Sequence, residues 1–260
     1  LSVRAGLMPF SAAFTDMLRT VPAVSTLALG AGVPAAIVLG LLLLSPIEGG
    51  SVRASSIAWL GAIGALLAGL RALNQIRNPN SQIPISLIAM TVALSLGWAM
   101  FGMLSGSRSG AVGACLLAIN MALAVPLLVA SGEVRKESAR LSAVGTAIGA
   151  LSLLGLPPLG GAAGTLLLSQ AAANLSGVWL AVLLLGSLMT AGAWLGWSAR
   201  AQNGDVEAPA RIQGARALLS TPLLLLVLAL IAAQPVLFFA AGRIADAIAA
   251  WAKVPWTIGP

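Results

Sequence analysis

Residues 151–168 read LSLLGLPPLGGAAGTLLL, an apolar stretch that holds two adjacent prolines and four glycines. It lies inside an apolar run from 141 to 173, which exceeds the roughly 20 residues that cross a bilayer core. Proline removes an amide donor from a helix, and glycine loosens the turn around it. The sequence therefore predicts a helix that is broken at mid-membrane, with the break formed by Gly155, Pro157, Pro158, Gly160 and Gly161.

The composition of the whole chain is that of a membrane protein. Hydrophobic residues make up 59% of the 260 positions and charged residues 8%, and the mean hydropathy is +0.99. Soluble domains carry roughly 25% charged residues. The fold class predicted is an all-α integral membrane protein without a soluble domain.

Apolar runs separated by glycine, proline and charge predict about seven transmembrane helices. The predicted spans lie near 22–45, 54–73, 83–104, 110–131, 141–173, 177–199 and 217–240. The chain is then one transmembrane domain, with 1–21 as the end of an earlier helix and its loop, 22–240 as the bundle, and 241–260 as an interfacial tail. Trp251 and Trp256 favour the interfacial position of that tail. Because the chain begins at Leu1, we expect residues to precede it.

The 14 basic residues lie singly or in small groups between the spans, which is not the pattern of a nucleic-acid-binding surface. If the 141–173 segment crosses once, alternating crossings assign ten basic residues to one side of the membrane and four to the other. The ten are Arg4, Arg19, Arg71, Arg77, Arg135, Lys136, Arg140, Arg200, Arg211 and Arg216, and the four are Arg53, Arg108, Arg243 and Lys253. The positive-inside rule then predicts that the 200–216 loop is cytoplasmic.

Several kinds of chemistry are not expected from these residues. The chain has no histidine and no tyrosine, and its single cysteine, Cys115, cannot form an internal disulfide or a thiolate cluster. No lysine, aspartate or glutamate lies deep within a predicted span, although such a group is the usual mark of a proton relay. No glycine-rich phosphate loop or catalytic triad pattern is present. We therefore expect no metal or cofactor within this chain.

Three stretches, taken in order, resemble the antiporter-like, proton-conducting subunits of respiratory complex I. The stretch 151–168 is similar to the family's L-S-x-x-G-I-P-P-x-x-G-F-x-x-K-x-x-L broken helix. RAGLMPFSAAFTDMLRTVPAVSTL at 4–27 resembles K-x-x-x-x-P-F-H-x-W-x-x-D followed by P-V-S, and LLAINMALAVPLLVASG at 116–132 resembles N-H-A-L-x-K-A-x-L-F-x-x-A-G. The likeness covers nearly the whole chain and implies the C-terminal half of a fourteen-helix subunit.

The chain departs from this family at its ionisable positions. The lysine of the broken helix falls on Thr165, and the histidine and lysine of the third stretch fall on Met121 and Val125. The family segment I-S-H-x-G-Y appears as residues 93–98, again without histidine. Only Arg4 keeps a charge at a position that resembles a proton-handling lysine, and arginine retains its proton at physiological pH.

The resemblance implies a membrane-arm subunit of a complex I-like NADH–quinone oxidoreductase, with weakened or lost proton translocation and a mainly structural role. Its partners would be other membrane subunits and lipids, with quinone, flavin and iron–sulfur clusters on partner chains. A bacterial inner membrane is the expected location. The alternatives are an active subunit that translocates protons or sodium, as in complex I, cation/proton antiporters or membrane hydrogenases, and an unrelated small transporter.

Polar side chains within the predicted spans are few, and each can serve either as interhelical hydrogen-bonding glue or as part of an ion path. The candidates for a proton or ion path are Arg4, Ser95, Asn120, Thr165 and Gln170. Small residues at four-residue spacing, in 61–69 and 145–149, predict close contacts between helices.

Overall fold

The fold is given by a computed structural model, which describes residues 52–77, 83–134, 139–157, 159–202 and 225–232, together with isolated positions between 222 and 243. Every regular element in these residues is an α-helix. Six helices have defined bounds: α1 (Val52–Arg77), α2 (Ile83–Leu104), α3 (Arg108–Val134), α4 (Ala139–Leu153), α5 (Gly161–Leu175) and α6 (Gly177–Gln202).

The prediction of an all-α protein with apolar helices of membrane-spanning length is confirmed for the described residues. Three segments of the described residues are long and apolar enough to cross a membrane, namely Ser86–Leu104, Ser109–Ser131 and Gly177–Arg200. Part of the predicted span 217–240 is helical, at 225–232, whereas 1–21, the span 22–45 and nearly all of 241–260 lie outside the described residues. The count of about seven spans stays a prediction.

The central helix of the described bundle is α2, which contacts each of the other five. Its spanning segment is 89% buried, against 28% for that of α6. Helix α6 therefore lies at the periphery and exposes large apolar side chains, among them Leu188 and Leu195. Helix α1 does the same with Leu60, Ile63 and Leu67. Apolar outer faces are what a lipid environment requires.

Close contacts between small residues join these helices, as the sequence predicted. A Cβ atom on Gly61 would lie 2.7 Å from the carbonyl oxygen of Gly97, and one on Gly69 would lie 3.0 Å from Cα of Gly186. Helix α1 thus packs backbone to backbone against α2 on one side and α6 on the other. Such approaches favour association of helices in membranes through close van der Waals contact.

Helices α2 and α6 are antiparallel and are joined by two reciprocal tryptophan–hydroxyl bonds. Nε1 of Trp194 in α6 donates to Oγ1 of Thr91 in α2, at 2.8 Å. Nε1 of Trp98 in α2 donates to Oγ of Ser187 in α6, at 2.9 Å. The two bonds are seven residues apart on each helix, which places them two turns apart on the same contact face.

The turn between α2 and α3 is closed by Ser105 and Ser107, whose hydroxyls hydrogen-bond at 2.8 Å. Ser107 caps α3, because its Oγ accepts the amide hydrogen of Gly110 at 3.0 Å. Gly106 has a φ of +68° and adopts the left-handed conformation that reverses the chain. Together these contacts set α3 antiparallel beside α2.

Helices α4 and α5 lie end to end along α3. A Cβ on Gly145 would contact the Ser131 side chain, and one on Gly149 would lie 2.8 Å from the Leu128 side chain, in the C-terminal half of α3. A Cβ on Gly164 in α5 would lie 3.0 Å from the carbonyl oxygen of Gly113, in its N-terminal half. The segment 139–175 therefore traverses the length of α3 once despite its interruption.

Candidate functional site at the helix interruption

The predicted interruption is confirmed: α4 ends at Leu153 and α5 begins at Gly161. Gly155 has a φ of +73°, in the left-handed region that glycine adopts most easily. Its amide donates to the carbonyl of Ser152 at 3.1 Å, and the amide of Leu156 donates to that of Leu151 at 3.0 Å. These two bonds form a Schellman motif, which ends α4 at this glycine.

Beyond Gly155 the chain forms a short turn before it resumes as a helix. Pro157 is exposed and, like any proline, has no amide hydrogen to donate. The amide of Leu159 donates to the carbonyl of Leu156 at 3.2 Å, and that of Ala162 donates to the carbonyl of Leu159 at 3.0 Å. The side chain of Pro158 lies outside the described residues. The turn therefore directs the chain back into the bundle, where Leu159, Gly160 and Gly161 are buried.

The C-terminal end of α4 is held by Asn120, which lies near the middle of α3. Nδ2 of Asn120 donates to the carbonyl oxygen of Ser152 at 3.0 Å, and Oγ of Ser152 donates to Oδ1 of Asn120 at 2.6 Å. Both residues are almost fully buried, at 1% and 0% exposure. A buried pair bonded in both directions fixes the position and the orientation of both groups.

A second side chain reaches the same helix end from α2. The hydroxyl of Ser95 lies 3.2 Å from the carbonyl oxygen of Leu153 and 3.1 Å from that of Thr91, one turn earlier in its own helix. Leu153 is the last residue of α4, so its carbonyl is among those that a helix end leaves without an intrahelical donor. Ser95 thus provides a donor for a freed carbonyl.

The third side chain, Thr165, belongs to α5 and spans the interruption. Its Oγ1 lies 3.1 Å from the carbonyl oxygen of Gly155, across the break, and at the same distance from the carbonyl oxygens of Gly161 and Ala162 in its own helix. A hydroxyl has one hydrogen, which these three acceptors share. Thr165 therefore connects the end of one half-helix to the first turn of the other.

Close packing at Gly161 brings the two half-helices together. A Cβ on this residue would overlap the carbonyl oxygen of Ser152 and lie 3.0 Å from Nδ2 of Asn120. Only a glycine lets α5 start this close to the end of α4. This close approach is the physical reason why the second residue of the Gly160-Gly161 pair is a glycine.

Three of the five predicted path residues, Ser95, Asn120 and Thr165, meet at the interruption. We call these three together with Ser152 the polar cluster. Gln170 is exposed on α5 and does not join it, and Arg4 lies outside the described residues. Ser152 was not among the predicted path residues, although its hydroxyl stands three residues before Gly155, the first glycine of the quoted stretch.

The described interior carries no ionisable side chain. Its buried polar residues are all serine, threonine or asparagine: Ser86, Thr91, Ser95, Ser105, Asn120, Ser131, Ser142, Ser152 and Thr190. None of these side chains gains or loses a proton near neutral pH. Among the described residues, no three histidine, cysteine, aspartate or glutamate side chains are placed to hold a metal ion. In this arrangement Ser95, Asn120 and Thr165 donate to backbone carbonyls, and Ser152 donates to the side chain of Asn120.

No protein-family model matches the chain, and no curated protein sequence matches it. The resemblance to antiporter-like subunits of complex I therefore rests on the three sequence stretches.

Proposed function

We propose that this chain is a membrane-arm subunit of a complex I-like NADH–quinone oxidoreductase, related to its antiporter-like subunits, in which proton translocation is weakened or lost. The role proposed is mainly structural. The proposal combines the three motif-bearing stretches with one observation at the interruption, namely that Thr165 stands where the family has a lysine and hydrogen-bonds to the carbonyl of Gly155. A lysine can alternate between charged and neutral forms when buried, whereas a threonine hydroxyl cannot.

The position of the interruption supports a mid-membrane location. Asn120 is bonded to the end of α4 and lies at the centre of the apolar segment Ser109–Ser131. If that segment crosses the membrane, the break falls near the bilayer midplane. This is the depth at which discontinuous helices in transport proteins handle ions.

The topology within the described helices supports the proposed orientation. The count of ten basic residues against four assumes that 141–173 crosses once, and the end-to-end arrangement of α4 and α5 along α3 agrees with that assumption. The full proposal is about seven transmembrane helices with an interfacial C-terminal helix, in a bacterial inner membrane, with the 200–216 loop in the cytoplasm. Quinone, flavin and iron–sulfur clusters would be on partner chains.

Partner identification tests this assignment. The full-length chain, tagged and extracted from native membranes in a mild detergent, is expected to copurify with membrane subunits and with flavin- and iron–sulfur-containing subunits. Purification as a stable lone chain would contradict membership in such a complex and would favour the unrelated transporter.

Ion flux separates the structural role from active translocation. In proteoliposomes the full-length chain is expected to move protons and sodium no faster than protein-free liposomes do. Flux that Thr165→Val and Ser95→Ala abolish would contradict the proposed loss of translocation. Ser131→Ala is the matched control, because this buried hydroxyl bonds only one turn back in its own helix, to the carbonyl of Leu127 at 2.6 Å.

A further inference from the structure

If the break lies at the bilayer midplane, as proposed above, its backbone carbonyls lie at the depth where water is most costly to admit. A broken helix inside a bilayer is tolerated only where protein or enclosed water satisfies the freed backbone groups. Water at that depth would also give protons a route. Which of the two satisfies these carbonyls decides whether the break conducts.

In this chain three carbonyls at the break have side-chain partners, and one of them, that of Ser152, also accepts the amide of Gly155. The carbonyl of Ser152 accepts from Asn120, that of Leu153 from Ser95, and that of Gly155 from Thr165. The donors come from three different helices, α3, α2 and α5. Each of these donors occupies an acceptor position that a water molecule could otherwise take.

The inner part of the polar cluster is also tightly enclosed. Ser95 is 1% exposed. Leu153, which follows Ser152 in sequence, is 2% exposed, and Met121, which follows Asn120, is 0% exposed. The position that a Cβ of Gly161 would take is already in contact with the Ser152 carbonyl. A water molecule needs space and two to four polar partners, whereas the side chains of Ser95, Asn120 and Ser152 are buried and hydrogen-bonded to protein groups.

We propose that the polar cluster of Ser95, Asn120, Ser152 and Thr165 is a proton seal, which closes the hydrated route that the broken helix would otherwise open. The inference rests on the membrane embedding in the proposed function and is independent of which partners the chain has. Removing the seal should convert a non-conducting chain into one that leaks protons.

The test uses the full-length chain in liposomes that contain a trapped pH-sensitive dye, with an imposed pH gradient. Wild type is expected to dissipate the gradient at the rate of protein-free liposomes. Asn120→Leu keeps the side-chain bulk and removes both bonds to Ser152, and it is expected to raise the protein-dependent rate at least about tenfold, since one lost buried bond shifts an equilibrium by about that factor. Ser131→Ala is expected to behave as wild type.

A second variant keeps the test decisive if the first variant does not fold. Gly161→Ala leaves every donor in place and forces the Ser152 carbonyl away from α5, so it is expected to leak as well. Dissipation at the wild-type rate by either variant, in protein that is monodisperse and unfolds cooperatively, would overturn the seal. Rapid dissipation by wild type would overturn it too, whereas a lack of complex I-like partners would contradict only the proposed function.

Discussion

Asn120 and Ser152 bond each other in both directions, with 3.0 Å from the amide nitrogen to the carbonyl oxygen and 2.6 Å from the hydroxyl to the amide oxygen. The first residue lies in the middle of an uninterrupted helix, and the second lies one residue before the end of a broken one. The pair therefore anchors the interruption to a continuous element of the bundle.

Replacement of Asn120 by alanine is expected to destabilise the fold by about 1–3 kcal/mol, because it leaves the buried Ser152 hydroxyl and carbonyl without this partner. The measurement is equilibrium unfolding of the purified chain in mixed detergent micelles. Ser131→Ala, in the same helix, should cost less, since its hydroxyl bonds only to the carbonyl of Leu127. Equal losses for the two variants would show that the pair has no special role.

Gly155→Ala and Gly106→Ala make a matched pair, because both glycines have a left-handed φ, of +73° and +68°. A Cβ at Gly106 would meet nothing within 4 Å, whereas one at Gly155 would overlap the Thr165 side chain. Gly106→Ala should cost only the conformational strain, about 1–2 kcal/mol, and Gly155→Ala should cost more. Thermal unfolding compares them. A smaller loss at Gly155 would contradict the packing described.

The contact between Gly155 and Thr165 allows a coupling measurement. In the Thr165→Ala background, Gly155→Ala should lose part of its extra cost, because the γ-methyl and hydroxyl groups that the new Cβ would meet are gone. A double-mutant cycle gives the coupling free energy, expected at about 0.5–3 kcal/mol for residues in contact. Strict additivity would mean that Thr165 and Gly155 do not contact each other.

Gly69→Ala and Gly64→Ala test the packing of α1. A Cβ on Gly69 would lie 3.0 Å from Cα of Gly186 in α6, whereas one on Gly64 would meet nothing within 4 Å. We expect Gly69→Ala to separate α1 from α6 and lower the melting temperature. Gly64→Ala should be neutral or stabilising by about 0.5–1 kcal/mol, the usual helix preference for alanine over glycine. The reverse order would show that α1 contacts α6 elsewhere.

Ser187→Ala is expected to shift the tryptophan emission of the folded chain and to cost about 1 kcal/mol, because the indole of Trp98 loses its acceptor. Thr91→Ala should act similarly on Trp194. Fluorescence and unfolding in micelles report both effects. An unchanged spectrum in both variants would contradict the two bonds between α2 and α6.

Within the described residues, the sequence by itself determined the helical class, the boundaries of most helices to within a few residues, and the interruption. The predicted span 83–104 coincides with α2, and the prolines and glycines of 155–161 marked the end of one half-helix and the start of the next. These features follow from local chemistry, since continuous apolar runs form helices, and missing amide donors and left-handed glycines end a helix at their own positions.

Only the tertiary structure decided what the polar residues do. Ser95, Asn120, Thr165 and Gln170 look alike in sequence, as isolated polar side chains in apolar runs, yet the first three bond carbonyls at the break while Gln170 is exposed. Ser95 and Leu153 are 58 residues apart in sequence. The direction of a hydrogen bond between separate helices depends on their rotation and height in the bundle, and these are set by packing at sites such as Gly61 and Gly69 rather than by the residues that form the bond.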